Sequence, residues 1–138
     1  MGGSGWRDHY NTDLEIEELF AATQATGLFD GHRLYFAGGL TTIRGQAFRG
    51  SVRAMDPATG RVIWARGLSS PVFAALTGQR GMVVVAAGDG SLYVLSGATG
   101  RVLYENELGA GVYGPPAIAD GSLFIGTTDG AVHAFRFP

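Results

Sequence analysis

Gly109-Ala110-Gly111-Val112-Tyr113-Gly114 spells G-x-G-x-x-G, the fingerprint with which a glycine-rich turn presents a helix N-terminus to a pyrophosphate. A helix must follow for that chemistry. Here Pro115 and Pro116 follow, then a strand-like run, so the motif reads as a glycine-rich link. Asp30, Asp89, Asp120 and Asp129 each precede a glycine and read as turn residues. Calcium takes six to eight oxygen ligands, and neither Asn11 nor Asn106 stands in a convincing cluster of acids. His9, His32 and His133 are dispersed without metal-ligand spacing, and Ser69-Ser70 lacks the nucleophile-elbow pattern. Glu15, Glu17 and Glu18 read as a solvated strand face. No catalytic, cofactor-binding or metal residue is nominated.

Composition narrows the classes further. Ten basic residues, all arginine and scattered, against 12 acidic ones give no electrostatic case for nucleic acid or an anionic membrane. The absence of cysteine excludes disulfides and thiolate metal sites. No apolar run reaches the length of a membrane span. Residues 1–5, Met-Gly-Gly-Ser-Gly, read as a linker. With 23 glycines punctuating short apolar stretches, the chain is expected to be all-β.

The elements that hold these residues repeat. Asp56-Pro57-Ala58-Thr59-Gly60-Arg61-Val62-Ile63-Trp64 returns 40 residues later as Ser96-Gly97-Ala98-Thr99-Gly100-Arg101-Val102-Leu103-Tyr104. Asp89-Gly90-Ser91-Leu92-Tyr93-Val94 returns at the same step as Asp129-Gly130-Ala131-Val132-His133-Ala134. Such a period marks units that cannot bury their apolar faces alone. Each unit reads as a four-stranded meander. The units fall at about 21–68, 69–108 and 109–138, the last without its fourth strand. In the second unit the strands are expected at Val72–Leu76, Met82–Ala87, Ser91–Leu95 and Arg101–Leu108, with a turn at 78–81. Phe73 and Tyr113 fall one period apart on first strands, as core or channel residues. The first unit carries about ten extra residues around Gly38–Phe48, read as an extended hairpin or a contact loop.

Within residues 6–20, Asp13 to Leu19 aligns with a fourth strand that has no first three before it. Leu14 and Ile16 alternate with Glu15 and Glu17, as in a half-exposed strand. A short helix capped by Thr12 and Glu15 is the alternative.

Ala54-Met55-Asp56-Pro57-Ala58-Thr59-Gly60-Arg61-Val62-Ile63-Trp64 fits A-x-D-x-x-T-G-x-x-x-W. The chain thereby resembles the pyrroloquinoline-quinone-type (PQQ-like) β-propeller repeats of quinoprotein dehydrogenases and outer-membrane assembly lipoproteins. The resemblance implies propeller blades, a bacterial extracytoplasmic setting, and blade docking through Trp64, Tyr104, Asp56, Thr59, Gly60, Thr99 and Gly100. In quinoprotein dehydrogenases the cofactor lies over the channel with calcium; the resemblance does not carry that site over, and no cofactor is expected.

Three blades do not close a ring. The expected solution is a homodimer forming a six-bladed ring, with Leu14, Ile16 and Leu19 in a strand that completes the neighbour's last blade. The expected role is a non-enzymatic scaffold or protein-interaction module. The alternative is a C-terminal fragment of a larger PQQ-dependent oxidoreductase or of an exported polymer-binding propeller.

Overall fold

A computed structural model describes residues 25–137. The first unit holds β1 (Leu28–Phe29), β2 (Leu34–Gly38), an inserted pair β3 (Thr41–Ile43) and β4 (Gln46–Phe48), β5 (Gly50–Met55) and β6 (Val62–Leu68). The second holds β7 (Thr77–Gln79), β8 (Met82–Ala86), β9 (Ser91–Ser96) and β10 (Val102–Glu107). The third holds β11 (Ala117–Ala119), β12 (Ser122–Gly126) and β13 (Val132–Arg136). Sheet orders are β1-β2-β5-β6, β10-β9-β8-β7 and β11-β12-β13, all antiparallel meanders, with β3-β4 a separate hairpin. The described chain is all-β and built of propeller blades.

Turn chemistry explains the spacing. Arg44-Gly45, Arg80-Gly81 and Asp120-Gly121 each have positive φ at both residues, the conformation that matches the twist of a two-residue hairpin. Only the third carries the Asp-Gly signal; arginine occupies the first position of the other two. For this reason the expected turn at 78–81 is corrected to Arg80-Gly81, with Gly78 and Gln79 inside β7. The expected first strand at Val72–Leu76 is likewise corrected: those residues form the link before β7. Their apolar side chains face the core from a link, where apolar content mimics a strand.

Both outer strands carry the same bulge. Met55 pairs with Val62 and Ala54 with Trp64, leaving Ile63 unopposed; Leu95 pairs with Val102 and Val94 with Tyr104, leaving Leu103 unopposed. A bulge breaks the two-residue alternation of faces. Val102 therefore packs back toward the first blade, while Tyr104 faces the third.

The core lies between sheets. One cluster joins Tyr35, Ala37, Val52 and Ala54 to Val83, Val85 and Leu95. The other joins Val84, Ala86, Leu92 and Val94 to Leu123 and Ile125. The middle blade is thus covered on both faces, which is why β8 reads Met-Val-Val-Val-Ala without alternation. Apolar surface buried between the sheets stabilises the fold at about 25 cal/mol per Å².

Tyr35 is fully buried and donates its hydroxyl to Asp30 Oδ2 at 2.6 Å. Burial pulls the Asp30 carboxyl upward, but the Tyr35 hydroxyl and the Arg33 and His32 N–H groups outweigh it and hold it below its ordinary 3.8. Burial first, and Asp30 second, push the Tyr35 phenol above its ordinary 10.0. The carboxylate's contribution is lost as pH falls through its depressed value, and the phenol's as pH rises through its raised one. Tyr35→Phe should return the Asp30 titration toward 3.8 by NMR and remove the alkaline loss. An unmoved Asp30 titration would show that the hydrogen bond does not set it.

Candidate functional site

The repeated D-x-x-T-G turn is a small hydrogen-bonded unit. Gly60 N–H donates to Asp56 O at 2.7 Å, Ala58 N–H to Asp56 Oδ1 at 2.9 Å, and Arg61 N–H to Thr59 Oγ1 at 3.2 Å. Its second copy has Gly100 N–H on Ser96 O at 2.7 Å and Arg101 N–H on Thr99 Oγ1 at 3.2 Å. Gly60 and Gly100 both adopt φ of 75°, open to glycine and strained for other residues.

Trp64 projects from β6 onto the second of these turns. Its Nε1 donates to Gly97 O at 2.8 Å, and Arg66 Nε donates to Gly100 O at 2.5 Å. A Cβ on Gly100 would lie 2.6 Å from the Trp64 ring, so the indole rests directly on that backbone. The ring is half-buried and meets Tyr35 at a centroid distance of 6.2 Å. Tyr104, its repeat on β10, is 45 % exposed and lies edge-on to Phe135 at 6.1 Å. Beside it opens an apolar cavity of about 350 Å³, lined by Met82, Val94, Leu103, Leu123, Phe135 and Phe137 among others. Leu14, Ile16 and Leu19 lie outside the described residues.

The third blade presents an apolar face that its predecessors bury. Val52 and Leu92 are 0 % exposed, whereas Val132, their repeat, is 72 % exposed. Tyr35 and Val84 are 0 % exposed, whereas Phe124 is 40 % exposed. Ala134, repeating Ala54 and Val94, is also exposed. At the opposite end, Leu34, Phe36 and Met55 repeat the buried Val83, Val85 and Leu95 and are half-buried. The inserted hairpin laps onto that side: Phe48 covers Gly67, and Arg53 donates to Thr41 Oγ1 at 2.8 Å. Sequence reasoning passed over Phe124 and Val132; extending the 40-residue alignment from Val84 and Leu92 would have found them.

The remaining chemical groups are engaged locally. Phe73 and Tyr113 lie in links, not on first strands, and stack on each other at 5.3 Å; Tyr113 is 56 % exposed. Gly111 accepts from Thr128 N–H, so the glycine-rich motif ties a link to a turn. His133 Nε2 lies 3.2 Å from Thr127 Oγ1, which donates to Asp129 Oδ1 at 2.6 Å. That bond and the Ala131 N–H hold the Asp129 carboxyl below its ordinary 3.8. Among the described residues no three His, Asp or Glu side chains converge where a metal could be held. Among the described residues no helix is long and apolar enough to cross a membrane.

Solved structures share this architecture. BamB from Moraxella catarrhalis is 18% identical with a TM-score of 0.67, the match covering 85% of this chain and 34% of that one. The computationally designed Ika4 protein is 19% identical with a TM-score of 0.60, covering 86% of this chain and 93% of that one. A quinohemoprotein alcohol dehydrogenase from Pseudomonas putida HK5 is 20% identical with a TM-score of 0.70, covering 89% of this chain and 20% of that one. The chain thus spans about a third of the BamB chain and a fifth of the dehydrogenase. At these identities the likeness concerns the fold. No curated protein sequence matches the chain. A family model described as outer membrane protein assembly factor BamB matches residues 48–137, and on that match the chain belongs to this family of PQQ-like propeller proteins.

Proposed function

We propose that the chain is a non-enzymatic propeller scaffold or protein-interaction module that closes a six-bladed ring by pairing with a second copy. The observation that carries this reading is the third blade's face, with Val132 at 72 % and Phe124 at 40 % exposure where the equivalent residues are sealed. A contiguous apolar face of this kind marks an interaction surface. In the ring it meets Leu34, Phe36 and Met55 of the other copy, the side that repeats the buried Val83, Val85 and Leu95. Blade docking in this reading runs through Trp64 and Tyr104, over turns built by Asp56, Thr59, Gly60, Thr99 and Gly100. The match to Ika4, covering 93% of that chain, supports a unit of this length standing alone. Family membership supports a bacterial, extracytoplasmic setting.

A second reading has its own support: matches covering 34% of BamB and 20% of the dehydrogenase suit a piece of a longer propeller, including a PQQ-dependent oxidoreductase. Titrating the protein with pyrroloquinoline quinone and calcium separates the scaffold from the oxidoreductase form of that second reading. The scaffold predicts no change in the quinone absorbance, whereas saturable binding overturns the non-enzymatic reading.

A further inference from the structure

We propose that the seam between copies is selected by side-chain size: Phe29 and Phe36 of one copy fill the space left over Ala117 and Gly126 of the other. This deepens the ring reading and rests on it. Sheet register fixes which positions repeat. Leu28, Thr77 and Ala117 pair with Tyr35, Val84 and Phe124, and their neighbours Phe29, Gly78 and Ile118 pair with Leu34, Val83 and Leu123. A Cβ on Gly78 would lie 3.3 Å from Leu28 Cδ2, so Leu28 of the first blade sits against Gly78 of the second. By the repeat, Thr77 of the second blade faces Ile118 of the third, and Ile118 packs against the core those two blades share. The next contact in the series sets Ala117 of the third blade against Phe29 of a following first blade.

The sizes run in opposite order. The presenting residue shrinks from Leu28 through Thr77 to Ala117, while the receiving one grows from Gly78 through Ile118 to Phe29. The second strands repeat the trend. Ala37, Ala86 and Gly126 hold one repeated position, paired with Val52, Leu92 and Val132, and the residues just before them, Phe36, Val85 and Ile125, point to the other face. Ala37 and Val85 share one core cluster, Ala86 and Ile125 the other, which leaves Gly126 for Phe36. In each series the smallest presenting residue thus falls opposite the largest receiving one. The unmatched members are also the open ones. Phe29 is 58 % exposed, and among the described residues a Cβ on Gly126 would meet nothing within 4 Å. Interiors pack densely, so a large ring needs a recess opposite it. In a ring of two copies, where each third blade meets the other copy's first, both rings find one.

A ring of two copies has two identical seams, which permits a mixing test. Ala117→Leu alone sets leucine against Phe29 at both seams, and Phe29→Gly alone leaves a void at both. Each should raise the dimer dissociation constant by about tenfold or more. Both positions are exposed in the single copy, so circular dichroism should be unchanged. Mixed full-length variants place the leucine–glycine pair of the first two blades at one seam and the native pair at the other. The heterodimer should therefore exceed the statistical share by native mass spectrometry. Gly126→Ala mixed with Phe36→Ile, which copies Ala86 and Ile125, tests the second series and serves if Phe29→Gly fails to fold. Heterodimer at the statistical share in both mixtures would overturn size selection while leaving the ring intact. A parent protein that is monomeric sinks the ring reading and this inference together.

Discussion

Trp64→Ala is expected to destabilise the protein by about 3 kcal/mol, the lower end of the range for deleting a buried aromatic. The lower end applies because the ring is half-buried. Three contributions are lost at once: the indole's contact with the Gly100 backbone, its contact with Tyr35, and the partner of the Gly97 carbonyl. An acceptor left without its donor costs more than the hydrogen bond's net contribution. Tyr104→Ala provides the internal comparison. Tyr104 occupies the repeated position but is 45 % exposed, so its loss should cost the isolated copy only about 1 kcal/mol. A chemical denaturation series that ranks the two equally would contradict the docking geometry of Trp64.

The second large effect concerns assembly. Phe124→Glu/Val132→Glu places two carboxylates on a face whose equivalents in the first two blades are 0 % exposed. In a closed ring each would be buried without a partner, and each unpaired buried charge costs several kcal/mol. The dimer dissociation constant should rise by more than about 100-fold, read by sedimentation velocity across a dilution series. The fold of the single copy should survive, because both side chains stand partly exposed in it and surface substitutions shift stability by about 0.5 kcal/mol or less. Unchanged association would show that the third blade's face is not the interface.

The fold was largely legible in the sequence because a repeat announces its own boundaries. The steps from Gly60 to Gly100 and from Asp89 to Asp129 place homologous turns, and the four-strand reading of the first two units matches their sheets. Local chemistry misled where it departed from the common signals. Arg44-Gly45 and Arg80-Gly81 make the same positive-φ hairpin turn as Asp120-Gly121, yet arginine does not advertise one. Val72–Leu76 is apolar because a link crosses the core between blades, not because it pairs. The bulges at Ile63 and Leu103 decide which way Trp64 and Tyr104 face, and no residue type at those positions signals them.

The candidate site was less legible. A motif search looks for chemistry, whereas Phe124 and Val132, the exposed side chains of the third blade's face, are ordinary apolar residues on strands. Only comparison of exposure across repeats separates them from core. Burial is a property of what lies opposite, and a strand's sequence is the same whether or not its neighbour is present.

Absolute mass by light scattering after gel filtration tests ring closure most directly. The six-bladed ring predicts a mass near twice 14.4 kDa that persists on dilution. A stable species near 14.4 kDa, with the apolar face of the third blade open to water, would contradict it.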